Sequence, residues 1–511
     1  MPTDMRSTYK KLLERNKDLI VLGSAEGIIN WDMETMMPPK AVHLRSEQLA
    51  LLSSIHHKMS TAPENGKLLD AIIKHPQYDT LKETEKRNVH LIKKNYDEQT
   101  KLPTQLVSEI AKQQVITVNT WKKAKATKNY ALFKPELEKL VKLNKQAAEI
   151  LMKVKQTKTP YDALLDVYEP KITTEAITKI FTELQQGLKK LLTKIENVQT
   201  QPDTNTLKQT VSADKQREIA KTLAQTLDHD VTSPNAGGRI DETEHPFSTG
   251  YYDDVRITTH YHPDNWTSSV FSVLHETGHA LYEQNLPQEW KYQPIGSYCS
   301  LGIHESLSRL HENIIGRSRE FWISLLPKIK HLAAPTLTNL EIDKFIQSIN
   351  AVKPSKTRIE ADEVTYSLHV IIRFQIEKDI FADKIAINEL PAVWNQKYKD
   401  YLGLDVPDDR SGILQDIHWA GGAFGYFPSY AFGSMNAAQL DAALHRDHPD
   451  LDQRLASGDF AVPIAWMREH IYKYGRLYPV TELIKLAAGE EQDPSYFIRY
   501  LTVKYGEIYQ L

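Results

Sequence analysis

The strongest constraint on this chain is the spacing of its apolar residues. Leu140, Leu143, Ala147, Ile150 or Leu151, and Val154 recur three or four positions apart, with lysines and glutamates between them. That period lays one apolar stripe along an α-helix and leaves the other side to water. Similar patterns fill residues 5–27, 45–58, 66–98, 104–126, 173–198 and 206–227, interrupted by turn-formers such as Pro63, Pro103 and Pro202. Residues 230–264 break the pattern, with Pro234, Asn235, Gly237, Gly238, Pro246 and Gly250 around the β-prone run Val255-Arg256-Ile257-Thr258-Thr259. Helical spacing resumes near Trp266 and runs to the C-terminus, with loops at about 287–300, 352–358 and 403–412. The expected fold is mainly α, with a deep groove and a small β-ribbon or sheet near 230–262. No Gly/Ser- or Pro-rich linker separates the parts. We therefore expect one unit made of a helical lobe over 1–229, a β-segment over 230–264 and a metal-binding helical part over 265–511.

Charge and cysteine content narrow the function classes. A net charge of −3 across 511 residues gives no bulk attraction for nucleic acid or an anionic membrane. Charged residues break every apolar run well short of a membrane span, and those between Asp4 and Lys17 rule out a secretory signal there. The expected address is the cytoplasm. Cys299 is the single cysteine, so a disulfide framework and a thiolate-rich metal site are both excluded. As a catalytic thiol it lacks a nearby activating base.

Any metal must then be held by His, Asp or Glu, and His275-Glu276-Thr277-Gly278-His279 supplies a pattern for it. Residues four apart lie one turn apart on the same helix face, so both imidazoles can address one ion. Glu276 projects from the adjacent position, where it can accept a proton from an attacking water without ligating the metal. Gly278 inside a helix costs up to about 1 kcal/mol relative to alanine, which implies close packing at that point. A zinc-dependent peptidase is the expected chemistry.

A catalytic zinc site normally takes three protein ligands. Glu305 in Gly302-Ile303-His304-Glu305-Ser306 is the preferred third, with His304 as its rival. The helix-like stretch Leu301–Ile315 places Glu305, Arg309 and Glu312 on one face. If that face meets the metal, Glu312 accepts the free N–H of a ligand histidine. His260 and His262, just before the metal helix, are assigned to the surface.

With these residues in view, the sequence resembles the carboxypeptidase Taq family of metallocarboxypeptidases over nearly its whole length. The motifs include His245-Pro246-Phe247, Asp254-Val255-Arg256-Ile257-Thr258, Arg358-Ile359-Glu360-Ala361-Asp362-Glu363 and Gly412-Ile413-Leu414-Gln415-Asp416-Ile417-His418-Trp419. Asn30 to Pro38 and Phe424-Gly425-Tyr426-Phe427-Pro428-Ser429-Tyr430 also look like that family. The resemblance implies a grooved helical fold like those of neurolysin and angiotensin-converting enzyme. It further implies a homodimer and removal of single C-terminal residues from peptides with broad specificity.

A carboxypeptidase must recognise a free carboxylate, a task suited to arginine. The resemblance favours Arg358, with Arg256 helping to close the groove and His245 and Gln415 as wall residues. His418, Tyr426 and Tyr430 suit the need for neutral donors to a tetrahedral oxyanion. Trp31 and Asp32 read first as a helix-packing pair. The ligand set is His275, His279 and Glu305 around one divalent ion, zinc first and cobalt second. An endo-acting oligopeptidase and a scaffold with structural zinc are the alternatives.

Overall fold

The computed structural model describes residues 4–511. Among the described residues, nine α-helices precede the sheet: α1 Met5–Thr35, α2 Val42–Ser60, α3 Pro63–Ile73, α4 Glu83–Lys101, α5 Thr104–Thr127, α6 Tyr130–Lys155, α7 Pro160–Tyr168, α8 Thr174–Glu196 and α9 Ala213–Thr226. The single helix expected over 66–98 is in fact α3 and α4. Pro76 lacks an amide hydrogen and pushes His75 out of the helical region, so the chain turns there. The helix expected from 206 starts only at Ala213, because Val211 donates its N–H to the Pro263 carbonyl, at 3.0 Å, beside the metal helix.

The sheet has three strands, β1 Gly238–Glu242, β2 Ser248–Tyr251 and β3 Asp254–Thr259, in the order β1-β3-β2. The central β3 is antiparallel to β2 and parallel to β1. Its alternate residues Val255 and Ile257 are fully buried, and the strand lies against α10, Trp266–Gln284, which carries the metal motif. Next come α11 Leu301–Arg309, α12 Arg319–Leu332, α13 Ile342–Ile349, α14 Glu363–Phe381, α15 Leu390–Leu402 and α16 Pro428–Asp447. Four further α-helices, ending with Ser495–Tyr509, follow among the described residues.

Two departures lie near the site. The expected loop at 403–412 extends to residue 427 as a run of turns, and Gly422 and Gly425 there adopt φ of +74° and +87°, which end any helix. Beyond α11 the backbone continues as a π-helix over Leu310–Ile315, a local widening common at functional sites. The main apolar core runs from Trp121 to Tyr509. A separate small core under α1 contains Met5, Tyr9, Leu12, Leu69, Ile72, Leu81 and Val89. Among the described residues, no helix is long and apolar enough to cross a membrane.

Candidate metal centre

Three helices are drawn together by two missing side chains. A Cβ on Gly278 of α10 would lie 2.5 Å from the Leu307 carbonyl oxygen of α11, and one on Gly433 of α16 would lie 2.3 Å from Glu305 Cγ. The penalty inferred for Gly278 is thus the condition for α11 to lie against α10. Ser300 caps α11 by accepting the Ile303 N–H at 3.1 Å. Asn265 occupies the cap position of α10, but its side chain makes no capping bond.

This packing brings His275, His279 and Glu305 together, with one donor atom from each lying within 4.8 Å of the others. Glu305 Oε2 is 3.6 Å from His275 Nε2 and 3.5 Å from His279 Nε2. Ligands of a tetrahedral ion with bonds near 2.1 Å stand about 3.4 Å apart. The other nitrogen of each ring is already engaged. His275 Nδ1–H donates to Glu312 Oε2 at 2.8 Å, the partnership expected for Glu312. His279 Nδ1 faces His304 Nδ1 at 2.5 Å, and His304 Nε2–H donates to Glu283 Oε1 at 3.0 Å. With Nε2 of His279 free, its Nδ1 carries the hydrogen and His304 Nδ1 accepts it. His304, the rival ligand, therefore stands behind His279 instead of beside Glu305.

Arg309 fixes the carboxylates, donating to Glu305 Oε1 at 2.8 Å and to Glu312 Oε2 at 3.1 Å. Burial alone would raise the Glu305 pKa, but Arg309 and both imidazoles outweigh it and hold the carboxyl well below the usual range. The two-imidazole, one-carboxylate donor set fits a divalent ion, and each group has its supporting partner. A structural zinc would need a fourth protein ligand, and among the described residues the group holds three.

Glu276 is buried beside the triad and lines the same cavity of about 510 Å³ as Tyr426 and Tyr430. Burial pushes its carboxyl up to about 7, partly offset by His275. Tyr430 forms a 3.2 Å hydrogen bond with His418 Nε2. Burial lowers the His418 pKa to about 4, against Asp416 and with Arg358, so its ring is neutral near pH 7.

Arg358 is buried beneath Tyr430, its guanidinium 4.8 Å from the ring centroid. It donates to Asp416 through Nε and Nη2, at 3.1 and 2.9 Å, and to the Tyr366 hydroxyl at 3.0 Å. Arg373 shares the same Asp416 at 2.7 Å, so two cations meet one carboxylate. Gln415, expected at the groove wall, braces the two arginines. Its amide oxygen accepts from Arg358 N and Arg373 Nη2, and its nitrogen donates to the Lys356 and Ser411 carbonyls. His245 is exposed, and Pro246, Phe247 and Ser248 after it line the metal cavity.

Arg256 lines a second cavity of about 850 Å³, which shares Thr249, Gly250 and Tyr298 with the first. It pairs with Asp254 at 2.7 and 2.8 Å and lies 4.3 Å from the ring centroid of Trp31. Trp31 is thus a packing residue, as read, and Asp32 pairs with Arg45. His262 is exposed, as expected. His260 is half-buried, with Nδ1 2.9 Å from the Thr243 carbonyl. Cys299 is buried and donates to the Tyr478 carbonyl, with its thiol pushed up to about 12 by burial, so it is inert.

Sequence reasoning missed Glu283, although it follows His279 by four residues as His279 follows His275. Asp416 lay inside a quoted motif. Arg373, on α14, carried no signal, because α14 is buried on every side.

Two histidines one helical turn apart, an intervening glutamate and a carboxylate from a facing helix define a metallopeptidase centre. The comparisons agree: the model of the Carboxypeptidase Taq (M32) metallopeptidase family matches residues 11–505, and the chain belongs to that family. It is a metal-dependent carboxypeptidase, a peptide-bond hydrolase that takes a divalent metal. Carboxypeptidase 1 of Bacillus subtilis is 37% identical over 506 residues, covering 99% of each chain. Thermostable carboxypeptidase 1 of Thermus thermophilus is 35% identical, covering 98% of this chain and 99% of the relative. The crystal structure of the M32 carboxypeptidase from Deinococcus radiodurans R1 superposes with a TM-score of 0.94 at 32% identity, over 99% of this chain and 100% of that one.

Proposed function

We propose that this chain removes single residues from free C-termini of peptides with broad tolerance for the side chain released. In this reading His275, His279 and Glu305 hold zinc, cobalt being the alternative that the same donor set accepts. The observation that carries it is the pair of free Nε2 atoms facing Glu305 Oε2, with the Glu276 carboxylate in the same cavity. The metal, when bound, supplies Lewis acidity to the scissile carbonyl and lowers the pKa of water in the site.

The chain's own groups do the rest. Glu276 takes the proton of the attacking water and returns it to the leaving amine. Neutral His418 and the protonated hydroxyls of Tyr426 and Tyr430, both raised by burial, offer hydrogen bonds to the developing oxyanion without adding charge. Arg358 retains two N–H groups beyond those spent on Asp416 and Tyr366. The excess positive charge of Arg358 and Arg373 over Asp416 favours a substrate carboxylate beside Tyr430. Arg256 forms part of the groove wall.

A homodimer and a cytoplasmic address belong to the same reading. Exposed Met36, Val42, Leu44 and Leu51 around the start of α2 support the dimer, and a lone thiol needs no oxidising compartment. The test is mass spectrometry of a peptide digest. A ladder losing one C-terminal residue at a time, blocked by C-terminal amidation, is expected, and internal fragments from the amidated peptide would overturn the reading. Light scattering should give twice the chain mass.

A further inference from the structure

Leu91 and Arg476 line both the 850 Å³ cavity and a third one of about 330 Å³ between α4, the end of α6 and the turn after α7. Six lysines and arginines line this third cavity against three carboxylates, Asp97, Glu98 and Asp166, although the whole chain has a net charge of −3. The carboxylates are already used. Lys93 takes Asp97. Lys94 and Lys155 share Asp166, at 2.7 and 3.2 Å, and approach Glu98.

Three cations are left over. Among the described residues, Arg87, Lys171 and Arg476 have no carboxylate within 4.0 Å. Arg87 spends its Nε on the Arg476 carbonyl, at 2.9 Å, which ties the two arginines together. Asp166 also accepts the backbone N–H of Lys171, at 2.8 Å, and holds that residue at φ +70°. A non-glycine residue in this region is strained, and such strain gathers at functional positions. The bond uses the Lys171 amide and leaves its ammonium group uncompensated.

We infer that Arg87, Lys171 and Arg476 form a distal subsite of the substrate groove that binds an acidic side chain of the peptide. A carboxypeptidase keeps the C-terminal carboxylate within one residue of the scissile carbonyl. The 850 Å³ cavity separates these cations from the metal cavity, so an anion reaching them lies several residues upstream, on the acyl side. A carboxylate there meets two guanidiniums and an ammonium group with little competition. This inference rests on the exopeptidase reading above.

The test uses the metal-loaded full chain and peptides in which one Glu walks back from the third to the sixth residue before the scissile bond. Each is paired with its Gln counterpart. One Glu position should raise kcat/KM about twofold to fivefold over Gln at low salt, the range of a partly exposed ion pair, and the advantage should shrink toward one in 0.5 M NaCl. Arg476→Gln and Lys171→Gln should each reduce the Glu/Gln ratio. Inorganic phosphate should compete with the Glu peptide more strongly than chloride at equal ionic strength. C-terminal release at equal Glu and Gln rates at every position overturns the subsite alone, and so does a ratio that survives both substitutions. No C-terminal release from any peptide overturns the exopeptidase reading and the subsite with it.

Discussion

His304 and His279 meet nitrogen to nitrogen, Nδ1 against Nδ1 at 2.5 Å, with Glu283 closing the far end of the chain. The contact fixes one tautomer in each ring and aims His279 Nε2 at Glu305. Replacing His304 with Phe keeps the bulk and removes the acceptor. Metal affinity, measured by competition with a chelator, should fall by about 10- to 100-fold while the circular dichroism of the metal-free protein is unchanged. Unaltered affinity would mean that His304 does not orient His279.

Gly433→Ala places a methyl group against Glu305 Cβ and Cγ, which it would approach to 2.7 and 2.3 Å. Overpacking of this kind costs about 1–3 kcal/mol. Calorimetry should show a lower Tm, and metal affinity should drop because the displaced atoms carry a ligand. A Tm loss with full metal affinity would separate the packing from the site.

Glu276→Gln preserves shape and removes the base. Metal content should stay near one equivalent per chain while kcat falls about 10²- to 10⁴-fold. Near-normal turnover with full metal would exclude Glu276 as the proton acceptor.

The pH profile follows from the same residue. Burial raises Glu276 to about 7, while His275 and then Ser248 pull it down. The active carboxylate is populated above the pKa, so kcat/KM should climb with pH through that value and then level off. Ser248→Ala removes one lowering influence and should move the acid limb to higher pH. A limb that stays in place would mean that another group sets it.

Arg358→Gln leaves Asp416 paired with Arg373 and removes the surplus cation. Peptides with a free C-terminus should lose about 10- to 100-fold in kcat/KM, as expected for loss of a charge-assisted pair. Their C-terminal amides, slow already, should change little. Discrimination that survives the substitution would move carboxylate recognition elsewhere.

Much of this site was legible because its spacing is local. His275, Glu276 and His279 sit on α10 and Glu305 on the next helix, α11, where a period of 3.6 residues dictates which side chains share a face, and Glu312 follows on the π-helix that continues α11. The helical class and the position of the sheet followed from apolar spacing and from the cluster of glycines and prolines over 230–264. Long-range partners were harder to see. His304 stays the rival third ligand at that level, because a sequence does not show whether an imidazole stands beside a metal or behind another imidazole. The bracing role of Gln415 was not legible, because its four hydrogen-bond partners, Arg358, Arg373, Lys356 and Ser411, come from three separate stretches of chain. The helix boundary at Pro76 was available in the sequence, whereas the late start of α9 at Ala213 depends on a contact with Pro263.

No residue of α1 between Leu12 and Trp31 is buried, although this stretch forms one side of the 850 Å³ cavity. Across the groove, α10 is buried along most of its length. Segments with few buried contacts open at low free energy, and densely packed ones only near global unfolding. Amide hydrogens in the middle of α1 should therefore exchange with deuterium far faster than those around His275. One bank of the groove yields to peptides of differing girth, and the other keeps the reacting groups in register.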